Sequence, residues 1–93
     1  MPTLSEYTNV YKTALTVIRK KGFRTWYDDK TDLFCAEKDG WDFCAYSPCG
    51  LLGVISIYEH VNPSEYKEYW WRLNDGEELS HSKPEYVSVM KKI

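Results

Sequence analysis

Residues 35–45 read CAEKDGWDFCA, two alternating segments on either side of the dipeptide Asp39-Gly40. Asp-Gly in this setting is the strongest short-range signal for a β-hairpin, because both loop positions of the favoured two-residue turn require positive φ. A two-residue loop also sets the register of the two strands, which places Glu37 opposite Asp42. The sequence therefore predicts two carboxylates side by side on one face of a sheet, where like charges repel.

The predicted hairpin has two different faces. One face is apolar and carries Phe34, Ala36, Trp41, Phe43 and Ala45. The other face is mixed and carries Leu33, Cys35, Glu37, Asp42, Cys44 and Tyr46. Because a helix packed on a sheet covers its apolar side, we expect the first face to form the core.

An amphipathic helix is predicted before the hairpin, because apolar residues recur at steps of three and four. Its stripe contains Leu4, Tyr7, Tyr11, Ala14, Leu15 and Ile18. Thr3 and Glu6 fit the T-x-x-E capping box at the start of a helix, and Gly22 is a natural left-handed stop at its end. The three basic residues before Gly22 suit the negative end of the helix dipole.

Period-two segments predict four strands, at residues 23–27, 32–38, 41–47 and 51–61, separated by the turn sequences DDKT, DG and PCG. The sequence N-P-S-E at residues 62–65 predicts a second helix as far as Leu73, and S-K-P-E at residues 82–85 predicts a short third helix or an edge strand. The expected fold class is α+β, with an N-terminal helix packed on a four-stranded antiparallel meander and one or two C-terminal helices. The length fits a single domain, residues 1–93.

Composition and charge narrow the class of protein. Charged residues make up 28% of the chain and hydrophobic residues 43%, which is typical of a globular protein. The apolar run at residues 51–57 is too short to span a bilayer, and the N-terminus lacks the features of a secretory signal, so we expect a cytoplasmic protein with no membrane partner. The net charge is −2, but seven acidic residues against two basic ones make residues 25–60 an acidic block.

No residue pattern predicts a catalytic, metal or cofactor site. Cys49 and His60 would lie roughly 30 Å or more apart on the predicted fourth strand, too far for a nucleophile and its base. The cysteines also lack the paired spacing of structural zinc. The order helix, strands, helix occurs in double-stranded-RNA-binding domains, but residues 62–65 carry no basic residue where such a domain needs one, so we expect no nucleic-acid partner.

The cysteines leave two redox states open. Their odd number, Cys35, Cys44 and Cys49, fits reduced thiols in a reducing compartment. The predicted register nevertheless places Cys35 opposite Cys44, within reach of a disulfide.

Aromatic residues are unusually frequent, at 16% of the chain. Trp26 and Tyr27 point to opposite sides of the first strand, and Trp71 lies beside the predicted buried stripe of the second helix, so some of these rings should be exposed. Exposed aromatic side chains near acidic groups are typical of protein interfaces. The predicted partner-binding residues are Asp28, Asp29, Asp32, Glu37, Asp39, Asp42, Trp26 and Trp71.

The favoured hypothesis is a non-catalytic protein-binding domain, a small acidic inhibitor or immunity-type protein that neutralises a basic partner such as a bacterial toxin. In this hypothesis the partner offsets the repulsion between the hairpin carboxylates. One alternative is a small enzyme or ligand-binding domain with a pocket near Cys49, Tyr58 and His60. Another is a homodimer formed through the mixed face of the hairpin.

Overall fold

The computed structural model describes residues 2–73, which form an α+β arrangement of two helices and a three-stranded antiparallel sheet. The elements in chain order are α1 (Thr8–Lys20), β1 (Arg24–Asp28), β2 (Leu33–Lys38), β3 (Trp41–Ala45) and α2 (Pro48–Val61). The strands are adjacent in the order β1, β2, β3. Neither of the two helices is long and apolar enough to cross a membrane.

The predicted hairpin and its register are confirmed. Asp39 and Gly40 have φ values of +53° and +83°, as a two-residue loop of this type requires. Glu37 lies opposite Asp42 and Cys35 lies opposite Cys44. The side chains displayed on each face of β2 and β3 are therefore those that the sequence predicts.

The first helix is confirmed from Thr8 onward, but its predicted capping box is wrong, and Leu4 and Tyr7 of the predicted stripe lie before the helix and are exposed. The helix begins at Thr8, and its N-cap is Tyr7, which makes no side-chain capping hydrogen bond. Instead of capping α1, the Glu6 carboxylate accepts a hydrogen bond from the Ser47 hydroxyl at 2.8 Å. At the other end Gly22 has a φ of +94°, which is the left-handed stop expected there.

The predicted fourth strand is wrong, because residues 51–61 belong to α2. Ser47 caps this helix, its hydroxyl accepting from the Gly50 N–H at 2.9 Å, and Pro48 occupies the first turn, where its missing N–H costs nothing. Leu51 and Ile55 lie one turn apart and are both fully buried. The apolar run is thus buried along one face of a helix rather than on the two faces of a strand.

The helix predicted over residues 62–73 is also absent. Asn62 closes α2 in the left-handed conformation, with a φ of +52° and its N–H bonded to the Tyr58 carbonyl at 2.8 Å. The following residues make turns, with hydrogen bonds from Trp70 N to Lys67 O and from Arg72 N to Tyr69 O. The third helix or edge strand expected near the C-terminus lies outside the described residues.

The core lies between the helices and one face of the sheet. Its buried members are Ile18, Phe23, Ala36, Phe43, Leu51 and Ile55. Phe34, Trp41 and Ala45 pack against this cluster while partly exposed, which confirms the predicted core face of the hairpin. Fully burying a side chain such as Ile18 stabilises the fold by about 1.5–3 kcal/mol. No helix within residues 2–73 packs on the opposite face of the sheet, which leaves that face for the site.

Candidate functional site

The face of the sheet away from the helices, here called the outer face, displays side chains from all three strands. Its members are Arg24, Trp26, Asp28, Leu33, Cys35, Glu37, Asp42 and Cys44, which the register groups into rows across the strands. The row nearest the hairpin loop reads Arg24, Glu37, Asp42, and the next row reads Trp26, Cys35, Cys44.

Glu37 is held by a cation from its own chain. The Arg24 guanidinium donates to Oε1 of Glu37 from Nη2 at 2.7 Å and from Nε at 2.9 Å. The Gly40 N–H donates to Oε2 at 3.2 Å, and these hydrogen bonds lower the pKa of Glu37. Asp42, by contrast, is exposed and has no cationic partner within residues 2–73. Arg24 therefore offsets much of the repulsion that the pairing of Glu37 with Asp42 predicts.

The acidic block of the sequence is divided between the two ends of the sheet. Asp28, Asp29 and Asp32 lie at the β1–β2 turn, whereas Asp39 and Asp42 lie at the β2–β3 loop. The six residues of β2 separate these ends by about 20 Å. The structure therefore does not bring the predicted acidic residues together into one cluster.

The β1–β2 turn is ordered by its own carboxylates. The Asp28 carboxylate accepts from the Lys30 N–H at 3.0 Å, and the Tyr27 hydroxyl donates to Asp32 at 2.8 Å. The second of these bonds raises the pKa of Tyr27. Asp29 is exposed and has no hydrogen bond or ion pair among the described residues. Asp29 therefore offers a carboxylate that an incoming cation can use.

The two predicted tryptophans lie on different parts of the molecule. Trp26 is 46% exposed and lies in the middle row of the outer face, on the edge strand β1. Trp71 is 47% exposed, but its neighbours are the Tyr69 ring at 5.8 Å and the Arg72 guanidinium at 5.8 Å. Across the described part of the chain, no ring contact joins Trp71 to the outer face. Trp26 is therefore the better placed of the two for a contact that also uses the carboxylates.

Three thiols are free, and two of them face each other. The Sγ atoms of Cys35 and Cys44 are 3.4 Å apart in the middle row of the outer face. Cys44 is exposed, whereas Cys35 is buried, and burial together with the hydrogen bond to Cys44 raises the pKa of Cys35 to about 11. The pair is thus close enough for oxidation, with one thiol open to reagents.

The residues suggested for an enzyme pocket are spread along α2. Cys49 lies in its first turn and His60 in its last, so eleven residues separate them by about 16 Å along the helix axis. The surface depressions found at the hairpin loop and along α1 are not lined by Cys49, Tyr58 or His60. Within residues 2–73 there is also no group of three or more His, Cys, Asp or Glu side chains that could hold a metal ion.

Sequence reasoning missed a cleft at the hairpin end of the sheet, here called the aromatic cleft. It has a volume of about 410 Å³ and is lined by Gly40, Trp41, Asp42, Glu65, Tyr66 and Trp70. A second, shallower depression of about 530 Å³ follows the exposed side of α1. The helix predicted over residues 62–73 does not place Tyr66 and Trp70 beside Trp41, although the density of aromatic residues in YKEYWW is a visible signal.

Comparison with known proteins gives no assignment: no family model matches the chain, and no match is found among the curated proteins or the solved structures.

Proposed function

We propose that this chain is a non-catalytic protein-binding module that uses the outer face of its sheet to bind a basic protein. The observation that carries the proposal is an open sheet face with a half-exposed tryptophan in its middle row, on the edge strand β1, and carboxylates at both ends. A solvated tryptophan exposes apolar surface that a partner can bury.

The charges on this face support a basic partner. Asp29 and Asp42 are exposed and unpaired among the described residues, whereas the cation of the face, Arg24, is already bound to Glu37. Unpaired negative charge therefore lies at both ends of the sheet, with Asp42 on the outer face and Asp29 in the β1–β2 turn. Complementary charges of this kind raise association rates and exclude wrong partners, and their effect falls with ionic strength.

Glu37 has a different role in this proposal from the other carboxylates. Because Arg24 and the Gly40 N–H already bind it, Glu37 positions the hairpin loop and with it Asp39 and Asp42. The partner would then meet Asp28, Asp29, Asp32, Asp39 and Asp42, with Trp26 as the apolar anchor. Trp71 lies beside a cation of its own chain and contributes less to this contact.

The specific form we favour is an immunity-type inhibitor of a basic bacterial toxin, acting in the cytoplasm. A small acidic chain whose unpaired carboxylates flank an apolar anchor can cover a basic active surface of such a toxin without any chemistry of its own. A reducing cytoplasm would also keep the three thiols free.

A second copy of the chain is the competing occupant of the outer face. Two copies meeting through this face would bring their unpaired carboxylates together, which opposes association at low salt. Sedimentation at several protein concentrations decides between the two. A dimer whose affinity increases as the salt concentration is lowered would contradict the proposal of a basic partner.

The test is affinity capture from the source cell, followed by binding measurements with the purified captured protein at two salt concentrations. We expect the captured protein to be basic and to bind wild type. The double variant Asp29→Asn/Asp42→Asn should bind it with lower affinity, and that affinity should depend less on salt concentration. Trp26→Ala should cost about 2 kcal/mol or more of binding free energy if Trp26 is the anchor.

Glu68→Gln is the matched control, because Glu68 is an exposed acid in the segment after α2 and does not belong to the outer face. It removes one negative charge without touching the outer face. Equal affinity of wild type, the double aspartate variant and Trp26→Ala would remove the outer face from the interface and refute the proposal.

A further inference from the structure

We propose that the aromatic cleft binds a methylated ammonium group, carried either by a free small molecule or by a lysine side chain. This site goes beyond the protein contact proposed above and shares with it one residue, Asp42. Because Asp42 belongs to both sites, Trp26→Ala tests the outer-face contact and Tyr66→Leu tests the cleft without changing the shared residue.

The walls of the cleft are aromatic. The Trp41 ring lies 5.4 Å from Trp70 and 6.4 Å from Tyr66, between ring centroids. The planes are inclined by 76° and 50° rather than stacked, and all three rings line one space. Aromatic faces arranged around a cation attract it through the negative charge of their π systems, and quaternary ammonium groups are the ligands for which proteins use such cages.

The cleft is anchored on the core. Trp41 packs against Tyr58 at 5.2 Å, and Tyr58 packs against the buried Phe43 at 5.0 Å. Trp70, which is half-buried, also contacts Tyr58, at 6.1 Å. Two of the three walls are therefore fixed by packing before a ligand arrives, which reduces the ordering that binding requires.

The charge of the cleft selects a cation. Asp42 and Glu65 line it, both are exposed, and neither has a cationic partner in the described part of the chain. Two unpaired carboxylates beside aromatic faces disfavour an anion and favour a positive ligand. The two carboxylates and the rings thus point to the same class of ligand.

The cleft favours a methylated ammonium group over a primary one because the two groups differ in hydration. A primary ammonium group is compact and strongly hydrated, and it needs acceptors for three N–H donors. A trimethylammonium group has no N–H donor to satisfy and buries methyl surface against the rings. The cleft volume of about 410 Å³ also lies within the range of small-ligand sites, which is about 300–1,000 Å³.

The first measurement is an NMR titration of the ¹⁵N-labelled protein with choline, and with 3,3-dimethylbutan-1-ol as its neutral isostere. We expect choline to shift the indole N–H resonances of Trp41 and Trp70 and to leave that of Trp26 unchanged. The neutral isostere should bind about tenfold more weakly, because it lacks the cation–π and carboxylate attraction. Equal binding of both compounds, or no shift at Trp41 and Trp70, would overturn the proposal.

Variants localise the site. Asp42→Asn/Glu65→Gln and, separately, Tyr66→Leu should each weaken choline binding about tenfold. Tyr66 is 74% exposed, so its replacement leaves the core intact. Asp29→Asn is the matched control, since it removes a negative charge at the opposite end of the sheet. Choline affinity that is unchanged in both cleft variants would contradict the assignment.

Two further ligands distinguish the sources of the ammonium group. A short peptide containing trimethyl-lysine should bind more tightly than choline if a protein side chain is the ligand, and no more tightly if a small molecule is. Either result is compatible with the cleft as a methylammonium site. Trp26→Ala should leave choline binding unchanged, which separates a failure of this proposal from a failure of the outer-face contact.

Discussion

Oxidation of the thiol pair on the outer face gives the sharpest test of the strand register. The Sγ atoms of Cys35 and Cys44 are 3.4 Å apart, so a disulfide of about 2.05 Å needs an approach of about 1.3 Å, within reach of small side-chain rotations. Oxidised glutathione would accept the two electrons and two protons and leave as two reduced molecules. Because burial raises the pKa of Cys35 to about 11, the exposed Cys44 should react first.

The expected stabilisation follows from the length of the closed loop. A bridge from residue 35 to residue 44 closes about ten residues, which in the chain-entropy relation amounts to about 2.7 kcal/mol at 25 °C. Residual hairpin structure in the unfolded chain would lower this value. We therefore expect the oxidised protein to unfold at a higher urea concentration than the reduced protein.

The assay combines mass spectrometry with urea denaturation. Oxidation should remove two hydrogens from wild type and from Cys49→Ser, and it should form no intramolecular bridge in Cys44→Ser. A wild-type protein that forms no bridge between residues 35 and 44, or whose bridge lowers the urea midpoint, would refute the register and the side-chain geometry together.

Four further predictions concern stability and protonation. Ile55→Ala should lower the free energy of unfolding by about 2–5 kcal/mol in urea denaturation, because Ile55 has no exposed surface; an unchanged midpoint would contradict its burial. Ser47→Ala should cost about 1 kcal/mol through loss of the α2 cap, whereas the exposed Ser56→Ala should have little effect. Because the pKa of Glu37 is lowered in the folded protein, the ionised carboxylate stabilises the fold at pH values above 4.5, its ordinary pKa. This contribution to stability is lost as the pH falls through the lowered pKa. Wild type should therefore lose stability more steeply on acidification than Glu37→Gln; equal slopes would contradict the Arg24 pairing. Asp32→Asn should lower the pKa of Tyr27 in an NMR titration, and Asp29→Asn should not.

The hairpin was predictable because its information is local. Asp39 and Gly40 tolerate the positive φ values that the loop demands, and a two-residue loop leaves one register for the flanking strands. The first helix was predictable for a similar reason, since Ala14 and Ile18 lie on one helical stripe and are both buried. The predicted capping box fails because Glu6 lies before the helix, where its carboxylate accepts from the Ser47 hydroxyl, a tertiary contact that sequence spacing does not show.

The sequence of the second helix predicts a strand because it shows no clear hydrophobic periodicity. Residues 51–61 are apolar on most sides, so neither a repeat of two nor one of 3.6 stands out. The length of the run and the Ser47-Pro48 start both favoured a helix, but Pro-Cys-Gly also suits a turn. Asn62 was equally ambiguous, because asparagine serves as an N-cap and also as a left-handed helix end, and here it is the end of α2.

Whether acidic residues that are close in the sequence form one recognition surface depends on where the fold places them, as the outer face shows. Asp28 and Asp42 belong to one acidic block in the sequence, yet they lie at opposite ends of the sheet, with Trp26 between the two ends. Glu37, which the sequence makes the most conspicuous carboxylate, is the one already neutralised, by Arg24. A partner with a single compact basic patch could therefore engage one end of the face at a time, and a partner that uses both ends must also cover the tryptophan between them.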